Sequence, residues 1–156
     1  MKSAKFRHLD KIIANDMEKI REDLSGQELA TGAYCQDYDT FKIIYQFVEH
    51  RLRRTRGRAY IILLTLADGE GDFPDLQEKD QWMETLKGLI QNSLRSGDMF
   101  TRYSRDQYLI MILDLSEEDA KGIVDRIAEA FYSILGDDKN RVLLHHCYPM
   151  MIEQQN

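Results

Sequence analysis

The residues of this chain best placed to do chemistry flank two short apolar runs in the stretch Arg95–Asp114, RSGDMFTRYSRDQYLIMILD. Arg95 and Asp98 precede the first run, Asp98–Tyr103, and Ser104-Arg105-Asp106 separates it from the second, Gln107–Asp114. A guanidinium is a planar fork suited to phosphate or the edge of a base, and a carboxylate accepts N–H groups or holds a hard cation. Two apolar runs joined by a tight polar break predict a β-hairpin, so a ligand site would sit at its turn. A structural reading of the upstream pair stands beside the ligand reading. In it, Arg95 closes a helix C-terminus and Asp98 starts a strand by pairing with Arg102.

The remaining elements must hold that hairpin in place. From Ser3 to about Gln27 the residues Phe6, Leu9, Ile12, Ile13, Met17, Ile20 and Leu24 recur at helical spacing between charges, which predicts an amphipathic helix. Ile13, Met17, Ile20 and Leu24 follow a four-three-four rhythm that fits a short coiled-coil seam, interrupted one turn earlier by Asp10. Ser25-Gly26 and Thr31-Gly32 break the pattern, and a linker runs to about Asp37. A second helix, capped by Asp37 or Asp39, buries Phe41, Ile44, Tyr45, Val48 and Leu52, with Gly57 expected as its left-handed cap. Tyr60–Leu66 is apolar throughout and predicts a central strand covered on both faces. A third helix, from about Asp80 to Leu94, turns Trp82, Met83, Leu86, Leu89, Ile90 and Leu94 inward. After the hairpin, Ser116 with Glu118 and Asp119 starts a fourth helix. It ends at Gly136-Asp137-Asp138, and Arg141–Tyr148 forms the last strand. The expected fold class is α+β: a ferredoxin-like βαββαβ core, an antiparallel sheet with helices on one face, plus the N-terminal amphipathic helix.

Composition narrows the function classes. The 156 residues fit one domain with an appended segment, and no apolar run has the length needed to cross a bilayer. The basic start MKSAKFRHLDKII lacks the apolar core of a signal peptide, which predicts a cytoplasmic protein. A net charge of −6 argues against nucleic acid as a partner of the whole surface. One local exception is His50–Arg58, with five arginines in the eight positions from Arg51 to Arg58. It could bind phosphates, but cations that complement a helix C-terminus are the simpler reading. Cys35 and Cys147 are expected to be reduced thiols. The acidic loop Ala67–Asp75 lacks the ligand ladder of an EF-hand. His145-His146-Cys147 has no partner pair at ligand spacing, and neighbouring strand residues point apart, so no metal is expected there.

The hairpin residues Arg102-Tyr103-Ser104-Arg105-Asp106-Gln107-Tyr108, with Arg95-Ser96-Gly97-Asp98 upstream, resemble the signature of GGDEF domains. These are the modules of diguanylate cyclases, in which an RYGGDEF-type hairpin follows an RxxD pair. The resemblance extends more weakly over Gly32–Pro149 through the order of elements. It implies the domains 1–31, an N-terminal amphipathic helix and linker, and 32–156, a degenerate GGDEF-like domain. It also implies that catalytic parts are missing. Ser104 and Arg105 stand where the family has glycines, Gln107 where it has a metal-binding glutamate, and Thr65 where it has the first metal-binding aspartate. Only Asp106 keeps its acid. Nothing matches the family's base-reading "FKxxND" helix, and Gly32–Tyr38 replaces its "DxLTGLxNR" turn motif.

From the resemblance follow a catalytically inactive bacterial signalling or regulatory module with no catalytic residues, no metal and no cofactor. It would act through a protein partner or as a homodimer paired through the N-terminal helix, with neither nucleic acid nor membrane as partner. The alternative is an effector domain for cyclic di-GMP or another nucleotide, using Arg95 and Asp98 as the family's inhibitory site does. An active diguanylate cyclase is the third reading.

Overall fold

The computed structural model describes residues 4–25, 33–68, 76–136 and 141–150. The expected breaks at Gly26 and Thr31-Gly32, most of the acidic loop, and Asp137-Asp138 lie outside those residues. The chain divides into two compact units, Met1–Ala30 and Thr31–Asn156.

The first unit holds one helix, α1 (Ala4–Ser25), and none of its residues is buried. Phe6, Leu9, Ile12, Ile13, Met17, Ile20 and Leu24 all stand exposed along it. In proteins most helical stability comes from packing an apolar face rather than from propensity.

The second unit runs β1 (Tyr34–Gln36), α2 (Tyr38–Thr55), β2 (Ala59–Asp68), α3 (Leu76–Ser93), β3 (Met99–Ser104), β4 (Gln107–Leu113), α4 (Glu117–Leu135), β5 (Arg141–Pro149). From β2 onward this is the expected βαββαβ order. The strands form one sheet in the order β1-β3-β4-β2-β5. Three features depart from expectation. The segment Tyr34-Cys35-Gln36, expected as linker, is a strand that pairs in parallel with β3, so the sheet is not wholly antiparallel. Three residues are too few to carry a period-two signal, and the free edge of β3 supplies the pairing.

The helices also pack on both faces rather than one. Ile62, Leu64, Leu66, Ile110 and Ile112 join Met83, Leu86 and Ile90 of α3 and Val124, Ile127 and Phe131 of α4 in one core. The alternate residues Ala59, Ile61 and Met111 pack with Phe41 and Leu52 of α2 in another. A strand apolar on both sides, as Tyr60–Leu66 is, requires cover on both sides. The third departure is the end of α2, where Arg56 and not Gly57 takes the left-handed conformation (φ 55°, ψ 29°). Gly57 answers a different need, since a Cβ there would come within 3.0 Å of Leu52 Cδ2.

Other local expectations hold. Asp37 caps α2 by accepting from the Thr40 amide at 2.8 Å, and Ser116 caps α4 by accepting from the Asp119 amide at 3.1 Å. Trp82 is half-buried and meets Phe131 edge to face. His145 and His146 pair with Leu64 and Leu63 and so point to opposite sides of the sheet. Cys35 and Cys147 are free thiols on the two outermost strands, and burial raises both pKa values. Four inter-strand spacings put them about 19 Å apart, too far for a disulfide within the chain.

Candidate functional site at the two ends of the hairpin

Strands β3 and β4 meet through a two-residue turn, Arg105-Asp106. Their register shifts between Arg102 and Ser104, so the bulge turns Tyr103 outward. Beside the turn, Gln107 of β4 stands opposite Thr65 of β2. Their side chains meet, with Gln107 Nε2 donating to Thr65 Oγ1 at 3.1 Å. These are the two positions at which the resemblance expects metal-binding carboxylates. The Ser104 hydroxyl lies 2.8 Å from Gln107 Oε1 and 2.9 Å from Asp106 Oδ1. It carries one proton to share between those two acceptors.

Asp106, the one acid of the turn, has both oxygens engaged. Its Oδ2 accepts from Lys79 Nζ at 3.4 Å, and the Lys79 side chain is only 14% exposed. Partial burial pushes the Asp106 pKa up, but the Ser104 hydrogen bond and the Lys79 charge outweigh it and hold the carboxyl below its ordinary value. The Asp106 carbonyl accepts from the Leu66 amide at 2.8 Å, which ties the turn to β2. Arg102 braces the turn from the other side. It donates to the carbonyls of Ser104 at 3.3 Å and Arg105 at 2.7 Å, and pairs with Asp80 at 3.8 Å. Arg105 itself stands exposed.

Tyr108, the last residue of the signature, belongs to the core and not to the site. It is buried, its hydroxyl donates to the Met83 carbonyl at 3.0 Å, and its ring meets Phe100 edge to face. Burial pushes its pKa up to about 12.

At the other end of the hairpin, Arg95 and Asp98 pair with each other. The expected alternative pairing of Asp98 with Arg102 is therefore corrected, since Arg102 reaches Asp80 instead. Asp98 Oδ2 accepts from the Arg95 amide at 3.0 Å and from Arg95 Nε at 3.3 Å. Its Oδ1 accepts from the Leu113 amide at 3.4 Å, and the Asp98 amide donates back to the Arg95 carbonyl at 3.1 Å. Arg95 Nη2 continues to the Leu113 carbonyl at 2.5 Å. Gly97, at φ +104°, allows the chain to fold back this tightly. The Asp98 side chain is 3% exposed and that of Arg95 55%, so the acid faces inward and the cation faces water.

Two residues of these sites escaped the sequence reading. Lys79 lies on the same helical stripe as Met83, Leu86 and Ile90, and a lysine at a core-facing position signals a partner. The expectation that the helix began near Asp80 hid it. Arg126 of α4 lines an open hollow of 460 Å³ together with Arg95, Glu118, Asp119 and Gly122. No spacing links Arg95 to Arg126, and only the packing of α4 brings them to one hollow. Among the described residues no group of His, Cys, Asp or Glu side chains is arranged to hold a metal ion.

No protein-family model matches the chain, and neither does any curated protein. Solved structures do. One is a DGC protein from Thermotoga maritima, with a TM-score of 0.57 and 18% identity over 76% of this chain and 81% of that one. A second is the coiled coil and GGDEF domain of DgcB from Caulobacter crescentus, in complex with c-di-GMP. It has a TM-score of 0.62 and 12% identity over 94% of this chain and 80% of that one. A third is the diguanylate cyclase SiaD of Pseudomonas aeruginosa in complex with its activator SiaC. Its TM-score is 0.61 and its identity 12%, over 93% of this chain and 60% of that one. At such identities the likeness is one of fold, and the fold is GGDEF-like. Among the described residues no helix is long and apolar enough to cross a membrane.

Proposed function

We propose that the chain is a non-catalytic GGDEF-like signalling module that works through a protein partner or a second copy. The observation that carries this reading is the closed polar cluster at the turn. Joining two nucleotides requires metal ions to neutralise charge as one hydroxyl attacks the other nucleotide's phosphate. Here Thr65 and Gln107 satisfy each other with neutral groups, and Lys79 already occupies the one carboxylate, Asp106. A divalent cation would have to displace an ammonium and then find a single acid. The Arg105 side chain also replaces the bare backbone that an approaching phosphate needs.

The test is product formation by the purified protein with GTP and magnesium. No cyclic di-GMP above a blank reaction is the expected result, and steady turnover would overturn the reading. Self-association has a separate measurement. The exposed seam Ile13, Met17, Ile20 and Leu24 supports helix pairing between copies. Leu24→Asp should then shift the solution mass from dimer to monomer, whereas an unchanged mass would remove the seam from the account.

A second reading, a cyclic di-GMP effector domain, is favoured by one observation: the solvent-facing guanidinium of Arg95 lines a hollow that also receives Arg126. Two such forks suit two phosphates. Asp98 weighs against it, because both of its oxygens are held inside the protein. Calorimetric titration with cyclic di-GMP decides between the two: binding that Arg95→Ala and Arg126→Ala each abolish makes the protein a receptor. Silence leaves the interaction module.

A further inference from the structure

Helix α2 has a second face that the fold does not use. Phe41 and Leu52 are buried against the sheet, with Ile44, Tyr45 and Val48 packed beside them. Ile43, Phe47, His50, Arg51 and Arg54 recur on the opposite stripe over about 16 Å of helix. Ile43 is 68% exposed and Phe47 71%, two large apolar side chains one turn apart. Phe47, His50, Arg51, Arg53, Arg54 and Thr55 bound an open hollow of 690 Å³.

Among the described residues, Arg53 alone of these arginines meets an acid, Glu49 at 3.4 Å on the exposed surface. Arg51, Arg54, Arg56 and Arg58 make no ion pair with any described residue. A positive island of this kind in a chain of net charge −6 is not a by-product of composition. Helix-end cations complement the macrodipole, but two residues in the last turn suffice for that, and Arg53 and Arg54 fill it. Nor does capping account for the exposed Ile43 and Phe47.

We infer that this face of α2 docks an acidic amphipathic segment of a protein partner. Apolar side chains of the partner would cover Ile43 and Phe47, and carboxylates one and two turns further along would take the guanidinium forks of Arg51 and Arg54. Arginine and aromatic residues are enriched at protein interfaces and lysine is depleted, and every cation from Phe47 to Arg58 is an arginine. A nucleic-acid backbone would neutralise the arginines but leave the two apolar side chains uncovered. Two apolar residues also fall short of the broad apolar face that an interfacial membrane helix buries. The inference rests on the interaction-module reading and names its partner class. The cyclase assay and the cyclic di-GMP titration test that reading without touching this face, so the two can fail separately.

The experiment titrates the full chain with a synthetic helical peptide that carries leucines at i and i+4 and glutamates at i+7, i+8 and i+11. Micromolar binding is expected, weakening as salt rises. Replacing the peptide's glutamates with glutamines, or introducing Arg51→Glu with Arg54→Glu, should each weaken binding about 10-fold or more. Phe47→Ser should weaken it without changing the salt dependence. All three positions are exposed, and an unchanged melting temperature shows that the variants fold. No peptide binding, or binding indifferent to the charge reversal, overturns the inference. So does tighter charge-dependent binding of a single-stranded oligonucleotide or of phosphatidylserine vesicles.

Discussion

The two ends of the β3–β4 hairpin carry the same resemblance and are built in opposite ways. At the turn, neutral side chains meet: Thr65 and Gln107 bond to each other, and Lys79 answers the one acid, Asp106. At the open end, the side chains are charged and serve the protein itself, because Asp98 holds the Arg95 amide, the Arg95 guanidinium and the Leu113 amide. A motif read in sequence therefore says which atoms are present and not what they are bonded to. The turn is a closed hydrogen-bonded corner, and the open end is a clamp that fixes where β3 begins and β4 ends.

The open end depends most on Asp98. Replacing it with Ala strands two backbone N–H groups in a nearly closed site and removes the partner of Arg95, so the loss should be about 2–4 kcal/mol. Urea unfolding measures it. Asp98→Asn should recover part of the loss, because an amide oxygen still accepts. A loss below about 1 kcal/mol would mean that the clamp is ornamental and that Asp98 is kept for a ligand.

Beneath the turn end, the Tyr108 hydroxyl anchors β4 to α3. Its folded-state pKa, about 12, lies above the ordinary 10. The stability tied to that proton is therefore complete below pH 10 and is lost as pH rises through 10 toward 12, on the order of 3 kcal/mol in all. Tyr108→Phe should cost about 1 kcal/mol at neutral pH through the lost hydrogen bond and flatten the alkaline limb of the stability curve. An alkaline limb identical in the two proteins would assign that unfolding to other groups.

Much of this was legible in the sequence. The doubly apolar Tyr60–Leu66 and Tyr108–Leu113 announced central strands, and the stripes of the three domain helices placed the core. The same doubly apolar strand also argued against helices on a single face. What the residues could not announce were features made by packing at a distance. Tyr34–Gln36 becomes a strand because β3 offers an edge, Lys79 meets Asp106 across 27 positions, and Arg126 reaches the hollow of Arg95 through the docking of α4. Thr65 and Gln107 were each recognisable as neutral substitutes. That they satisfy one another followed only from the β2–β4 register.

Placing carboxylates at the turn tests whether charge alone is missing for metal binding there. Thr65→Asp with Gln107→Glu crowds three acids around one lysine and should destabilise the protein by about 1 kcal/mol without divalent ions. Magnesium at a hundredfold excess over its dissociation constant should then raise stability by about 2.7 kcal/mol, while the parent protein stays unmoved. Thermal melts with and without magnesium read this directly. A double variant as indifferent to magnesium as the parent would show that the backbone geometry of the turn, and not only its charge, does not suit a metal ion.

The smallest effect belongs to Lys79→Met, which keeps the aliphatic stem and removes the cation from Asp106. The Asp106 carboxyl is partly exposed, so solvent screening holds the stability change well under about 1 kcal/mol at neutral pH. Its titration should move more visibly. The folded-state pKa of Asp106 lies below its ordinary value, so its contribution is present above the usual aspartate range and is lost as pH falls through the folded value. Without Lys79 that loss should begin at a higher pH, because burial still pushes the carboxyl up and only the Ser104 hydroxyl and the Asp106 backbone amide oppose it. Carboxyl-carbon NMR resolves the midpoint. An unchanged midpoint would transfer the work to Ser104, leaving a turn closed by neutral hydrogen bonds with the lysine merely nearby.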